Sequence, residues 1–304
     1  EKVIPDLILL DVDMPVIDGF EALEKLKADA RTRDVPVIFL TARTDCQAEL
    51  RGFEMGALDF INKPFSPPSL IKRIECHIEM DKLLKKSRQE VRDVHNALIN
   101  VISDLVETRD KVTGSGHIKR TQKYLELLIG ELIRGEVYGD EISLWDTDLV
   151  IPAAQLHDVG KICTNEFILK KPDKLTPGEF EAVKLHCIEG ERILNMALAS
   201  KDDAFLEYAL RFAAYHHEKW DGTGYPRGLR GEDIPIEGRI MAVVDVYDIL
   251  VTKLSYKDAL SHDEAVGIIS RESGKHFDPK IAAAFINIAD DIRAAFTLWG
   301  DCPP

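Results

Sequence analysis

From Pro67 to about Val106 the sequence carries no glycine and, beyond the paired prolines Pro67 and Pro68, no further proline, and it is highly charged. Such a stretch reads as one long helix. At 304 residues the chain exceeds one ordinary core, so this helix serves as a connector between two domains. The expected boundaries are 1–66 for the first domain, 67–93 for the connector and 94–304 for the second domain. Along the helix Leu70, Met80, Leu84, Val91, Val94, Leu98, Val101 and Leu105 fit alternating steps of three and four, with Arg73, His77 and Ser87 as polar interruptions. A seam of that kind suits a two-stranded coiled coil, which would make the chain a homodimer through its connector. The alternative is a single helix whose stripe packs on its own domain, and for its second half the two readings stand level. His77 and His95 are expected in water.

Ahead of the connector, Leu7 to Leu10 in "IPDLILLDVDMPVIDGFEAL" reads as a buried strand ending at Asp11, with a turn through Pro15 and Gly19 into a helix. "DVPVIFLTA" is a second β-rich run ending in Thr41, and "GALDFINKPF" a third ending in Lys63 before Pro64. Strands alternating with helices imply a parallel sheet, and open sheets of this kind bind ligands beyond the strand carboxyl ends, where Asp11, Thr41 and Lys63 fall. A carboxylate, a hydroxyl and an ammonium there can serve phosphoryl transfer: the carboxylate accepts, the lysine offsets charge and the hydroxyl reorients toward the phosphate. The same residues also fit an aspartate that caps a helix and a lysine that pairs with it. "LILLDVDMP", "VIFLTA" and "NKPF" resemble the receiver domain of bacterial response regulators. That resemblance implies a flavodoxin-like α/β fold, makes Asp11 the phosphorylated aspartate with Thr41 and Lys63 as its switch partners, and implies a sensor histidine kinase as partner. It covers about the last two thirds of such a domain. The N-terminal part, where the family keeps the acidic pair that holds magnesium, is expected to be missing.

From Val94 onward the chain reads as amphipathic helices: Ile118 to Arg134, Leu149 to Val159, the stretch after Thr176, Ala204 to His217, Gly238 to Leu250, and Lys280 to Leu298. The expected fold is therefore multidomain, a partial α/β receiver joined by a long helix to an all-α bundle. "TPGE" supplies a complete start signal, with Thr176 as cap, Pro177 at the first helical position and Glu179 closing a capping box. Apolar residues are 45% of the chain and no apolar run is long enough to cross a bilayer, so no membrane partner is expected. With 39 basic and 53 acidic side chains the net charge is −14, which argues against duplex nucleic acid and leaves room for a small anion only where cations are concentrated. Cys46, Cys76, Cys163, Cys187 and Cys302 form no C-x-x-C pair. They are expected to be small packing residues in a reducing, cytoplasmic setting, and no export leader is visible.

His157 and Asp158 fall at the end of one predicted helix before Gly160, His186 on the helix capped by Thr176, His216 and His217 at the end of the next, and Asp245 within "RIMAVVDVYDIL". A carboxylate among Met241, Ala242, Val243, Val244 and Val246 faces the interior and must be paired, hydrogen-bonded or metal-bound. Histidine and aspartate suit divalent iron, manganese, nickel or zinc. Adjacent helical residues point about 100° apart, so His216 and His217 are expected to serve two ions, or one ion and a substrate, and not one tetrahedral centre. The His157 and Asp158 doublet repeats the arrangement, with Asp158 able to bridge ions about 3.5–4 Å apart. A lone helix-terminal histidine is more often a cap or a satisfied core residue. Two doublets with His186 and a buried aspartate point instead to a two-metal site.

"HDVGKI", "KLH" followed by "EGERIL", "HHEKWDGTGYP" and "RIMAVVDVYD" together resemble the HD-GYP family of the HD phosphohydrolase superfamily, over essentially all of residues 94–298. By that resemblance His157, Asp158, His186, His216, His217 and Asp245 match the metal ligands, Lys161 the phosphate-binding lysine, and Gly224, Tyr225 and Pro226 the loop that names the family. It implies catalytic roles for Asp158 and Lys161, substrate contacts from Lys161, Tyr225 and Lys257, and two divalent transition-metal ions as cofactors. The family hydrolyses cyclic dinucleotide second messengers, chiefly cyclic di-GMP, to the linear dinucleotide pGpG and in some members on to GMP. The residues suit that chemistry, because an anionic phosphodiester needs a nucleophile made at neutral pH and cations on its non-bridging oxygens. The turn "DGTGYPRG" fits two roles equally, aiming the preceding histidines or contacting substrate or partner.

Two departures qualify the match. Where some relatives hold a third metal with a glutamate one turn before the histidine of "KVTGSGHIKR", this chain has Thr113 ahead of His117, so two ions are expected and His117 becomes an optional ligand. Where the family reads Arg-Pro-Tyr after Asp248, this chain has Leu254, Ser255 and Tyr256, followed by Lys257. Without that arginine, capture of a cyclic substrate weakens. Preference for linear pGpG or another cyclic dinucleotide, or a non-catalytic sensor, is the alternative reading.

Overall fold

The computed structural model describes residues 4–29, 31–42, 46–110, 116–171, 173–199, 202–253 and 258–299, the side chains of 46–48, 298 and 299 excepted. The chain divides into two units, Glu1–Asp93 and Val94–Pro304.

In the first unit, strands β1 (Ile8–Asp11), β2 (Val37–Thr41) and β3 (Asp59–Asn62) form a parallel sheet in the order β1-β2-β3. Helix α1 (Gly19–Ala28) starts where the Asp18 side chain accepts the Glu21 N–H, and α2 (Cys46–Glu54) lies between β2 and β3. Leu10, Phe20, Leu23, Val37 and Phe39 close the core on the sheet. The register pairs Asp11 with Leu40 and Thr41 with Asn62, so Asp11, Thr41 and Lys63 emerge together at the carboxyl ends.

Helix α3 runs unbroken over Pro67–Arg109, 43 residues, and the only positions buried along it are Ile99, Ser103 and Val106. The stripe through Val94, Leu98, Val101 and Leu105, for which packing on its own domain was one expectation, lies in solvent instead. The residues that do pack are Ile99 and Val106, one position past Leu98 and Leu105, and Ser103. His77 is half-buried, with Nε2 3.0 Å from Asp59 Oδ2, and is not the solvated group expected.

The second unit is helical: α4 (His117–Arg134), α5 (Gly139–Ile142), α6 (Thr147–Ala153), α7 (Glu166–Leu169), α8 (Pro177–Lys184), α9 (His186–Leu198), α10 (Ala204–Tyr215), α11 (Ile236–Val251), α12 (His262–Arg271), α13 (Pro279–Asn287) and α14 (Ala289–Trp299). Tyr124, Leu125, Leu128, Ile129 and Leu132 form the buried face of α4 at helical spacing. Each such side chain contributes about 1.5–3 kcal/mol by leaving water. Nearly all of α11 is buried, which places Asp245 and Asp248 deep in the bundle. Three expected helices break: the one expected over Lys280 to Leu298 divides at Ile288 into α13 and α14, and the other two breaks matter for the site. The helix expected over Leu149 to Val159 stops at Ala153, and short 3-10 turns at Ala154–Leu156 and Val159–Cys163 follow, with His157 and Asp158 between them. The helix capped by the Thr176 and Glu179 box ends at Lys184, so His186 opens α9 and does not ride on the capped helix. Cys187 is buried as expected, whereas Cys76 and Cys163 are exposed. No helix among the described residues is long and apolar enough to cross a membrane.

Candidate active site

The break after Leu156 turns His157 and Asp158 toward α9 because Gly160 lets the chain pass against it. A Cβ built on Gly160 would lie 1.9 Å from the His186 carbonyl oxygen. Gly160→Ala is therefore expected to destabilise the protein by at least about 1–3 kcal/mol and to displace His186. Thermal unfolding together with metal content checks this.

His216 caps α10 and His217 lies beyond it, so the helical 100° spacing assumed for the pair does not apply. Their ring centroids are 4.0 Å apart and both rings reach His186, at 5.3 and 5.1 Å. Contrary to the sequence expectation, His186, His216 and His217 can hold a single ion, with ligand atoms all within 4.8 Å of one another. His117, His157 and Asp245 form a second group of the same kind, which brings His117 from an optional position into the centre.

Asp158 stands between the two groups. Its Oδ1 is 3.4 Å from His186 Nε2 and 3.8 Å from His216 Nε2, and its Oδ2 is 3.2 Å from His157 Nε2. Nevertheless Asp158 Oδ1, His157 Nε2 and His117 Nε2 are buried without a hydrogen-bond partner. Ring tautomers explain this. His157 Nδ1 donates to the Ala154 carbonyl at 2.8 Å, His186 Nδ1 to Val183 at 2.6 Å and His216 Nδ1 to Phe212 at 2.9 Å. A neutral imidazole has one proton, so each Nε2 is left as a bare lone pair. The Nε2 atoms of His186 and His216 then face each other at 3.3 Å, lone pair against lone pair. A divalent cation accepting both removes that repulsion, and the donor set of imidazoles and carboxylates fits one.

For His186, His216 and His217 the electrostatics agree with neutral imidazoles, whereas at His117 burial is outweighed by the Asp248 and Asp245 carboxylates, which hold the ring above the usual histidine range. Burial, then the neighbouring imidazoles, hold His216 and His217 well below the usual histidine range, and burial lowers His186. Burial pushes Asp158 upward, but the Lys161 ammonium together with His157 and His186 outweighs it and keeps the carboxyl well below its ordinary value. Lys161 is buried and donates to Asp158 Oδ2 and Asp110 Oδ2, each at 2.6 Å. Burial raises Asp245. His117 Nδ1 lies 2.8 Å from Asp248 Oδ2, and Arg120 grips the same carboxylate through Nε at 2.7 Å and Nη2 at 2.8 Å.

Over this floor opens a cavity of ≈ 360 Å³ that reaches Asp158, His186, His217 and Asp245, with Ile168, Leu175, Phe180 and Ile249 on its apolar walls and Lys171 and Lys174 at its side. Tyr225 lines it too, its ring 4.7 Å from that of His217. The loop that carries Tyr225 is fixed from below: Glu218, buried, accepts the N–H groups of Arg227 at 2.7 Å and Leu229 at 3.0 Å. Gly224 allows the close return, since a Cβ there would sit 2.3 Å from Lys219 N. Asp110, Arg120, Glu218 and Asp248 were not singled out from sequence. Lys257, Leu254, Ser255 and Thr113 lie outside the described residues.

In the first unit Lys63 Nζ donates to Asp11 Oδ2. This hydrogen bond lowers the Asp11 carboxyl from its ordinary value. Thr41 is buried beside them at the end of β2.

Comparison with known proteins agrees with both halves. Residues 1–75 match the response regulator receiver domain and residues 136–281 the HD domain. A probable cyclic di-GMP phosphodiesterase of Vibrio cholerae is 40% identical over 297 residues, covering 92% of this chain and 67% of that protein. The cyclic di-GMP phosphodiesterase response regulator RpfG of Xanthomonas campestris is 32% identical over 290 residues, 92% of this chain and 75% of that protein. The 3'3'-cGAMP-specific phosphodiesterase 2 of Vibrio cholerae is 36% identical over 205 residues, and the match covers 67% of this chain but only 37% of that protein. With a receiver domain preceding an HD domain, and with imidazoles and carboxylates gathered where a cation fits, this chain belongs to the HD-GYP phosphodiesterases of the response-regulator class, a family of metal-dependent hydrolases.

Proposed function

We propose that this protein hydrolyses cyclic di-GMP to the linear dinucleotide pGpG, and onward to GMP, at a pair of divalent cations. His186, His216 and His217 hold one, His117, His157 and Asp245 hold the other, and Asp158 offers one carboxylate oxygen to each side. The opposed lone pairs of His186 and His216 at 3.3 Å carry this reading. When bound, such ions supply Lewis acidity to a phosphodiester and make water nucleophilic near neutral pH. Lys161 adds a fixed ammonium at the cavity floor, where negative charge accumulates on the non-bridging oxygens. The apolar walls exclude water and accept a nucleobase face, with Tyr225 beside His217 as a further substrate contact, and Lys257, by its place in the sequence, as another.

In the receiver, Asp11 is the phosphoryl acceptor for a sensor histidine kinase, held ionised by Lys63, and Thr41 is the hydroxyl that responds. A cytoplasmic setting fits that kinase partner, and the net charge of −14 argues against duplex nucleic acid as a further one. A second reading, preference for another cyclic dinucleotide, draws support from the relative named for 3'3'-cGAMP and from Leu254 and Ser255 in place of Arg-Pro.

Assays on protein loaded in turn with Fe, Mn, Ni or Zn decide between them, with cyclic di-GMP, 3'3'-cGAMP and pGpG as substrates and products resolved by chromatography. Cyclic di-GMP is expected to be consumed at least tenfold faster than 3'3'-cGAMP with pGpG appearing first. The reverse ratio establishes the second reading, and product from none of the three with binding retained identifies a sensor.

A further inference from the structure

Helix α3 keeps one face apolar and in water. While Ile99, Ser103 and Val106 turn inward, Val94, Leu98, Val101 and Leu105 remain 55–61% exposed. Earlier on the same helix Met80, Leu84 and Val91 are 57%, 51% and 68% exposed. From Met80 to Leu105 the steps alternate four and three without a slip, and Ser87 is the single polar member. That is the a/d pattern of a heptad, a period that only a partner helix requires. We infer that two copies of this chain associate through α3 as a parallel, in-register coiled coil.

Two observations select a second copy in this orientation. Seven half-exposed apolar side chains on each helix remove on the order of 1,200 Å² between them, the lower bound of stable interfaces. In parallel register the seam places Ser87 against Ser87, so its hydroxyl meets another hydroxyl, whereas an antiparallel pairing of the same stretch sets Ser87 against Leu98. At the flanking positions Glu90 of one helix falls level with His95 of the other and Asp104 level with Arg109, so no like charges oppose, while within their own chain His95 rests on Phe205 and Arg109 on the Ile162 carbonyl.

Sedimentation of the full chain at tens of micromolar is expected to give twice the mass of one chain. The Leu98→Lys, Val101→Lys double variant changes only exposed side chains, so its circular dichroism stays unchanged while self-association weakens at least tenfold. Ser87→Cys is expected to form a disulfide with its own copy under mild oxidation, read against wild-type protein because Cys76 and Cys163 are exposed. A wild-type monomer throughout the concentration range, or a double variant that dimerises as well as wild type, overturns the inference. A dimer in which Ser87→Cys adds no crosslink overturns the parallel pairing.

Discussion

Replacing Asp158 with alanine is expected to lower turnover of the cyclic dinucleotide by at least about a thousandfold, about 4 kcal/mol of barrier, and to remove bound metal while helicity is retained. The carboxylate has one oxygen toward His186 and His216 and the other toward His157, and Lys161 also rests on it. The substitution therefore removes the carboxylate that stands between the two groups and leaves the Lys161 ammonium on Asp110 alone. Metal content by elemental analysis, far-ultraviolet circular dichroism and phosphodiesterase rate are read on the same preparation. Full activity in the variant eliminates the bridging role.

The largest effect on stability is expected at Arg120. Asp248 has no exposed side-chain surface, and its carboxylate is held by the Arg120 fork and by His117. Arg120→Ala leaves that charge buried with one partner, a loss of about 3–5 kcal/mol. In a domain of this size the midpoint of thermal unfolding then falls by roughly 6–20 °C. Replacing Asp248 by asparagine in the same background should restore part of the loss, because the uncompensated charge is gone. The pair also sets a pH dependence. Burial pushes the Asp248 carboxyl upward, but its partners outweigh burial and hold it below 3.8, so its stabilisation is present above that value and is lost as the pH falls further. A variant as stable as wild type would show that the pair contributes nothing net.

What could be read from sequence was local. The three strand ends that align Asp11, Thr41 and Lys63 follow from runs of a few residues, and the box of Thr176 and Glu179 needs only four. The six residues matched to metal ligands converge as well, although the reason given for His216 and His217 was mistaken. It extended helical spacing past Tyr215, where α10 ends. Asp110, Asp248 and Arg120 left no signal, because their partners lie 51, 131 and 128 residues away and no periodicity links positions so distant. In the sequence Gly160 is only a helix stop, but its value lies in an approach to His186 that only the packed chain reveals.

Three of the imidazoles hang from main-chain carbonyls and not from other side chains. Their orientation is thus inherited from the course of the polypeptide, insulated from whichever residues line the cavity above. Divergence at Phe180, Leu175 or Ile249 can therefore retune which dinucleotide is admitted while the chelating rings stay where they are, so selectivity and reactivity evolve on separate parts of the molecule.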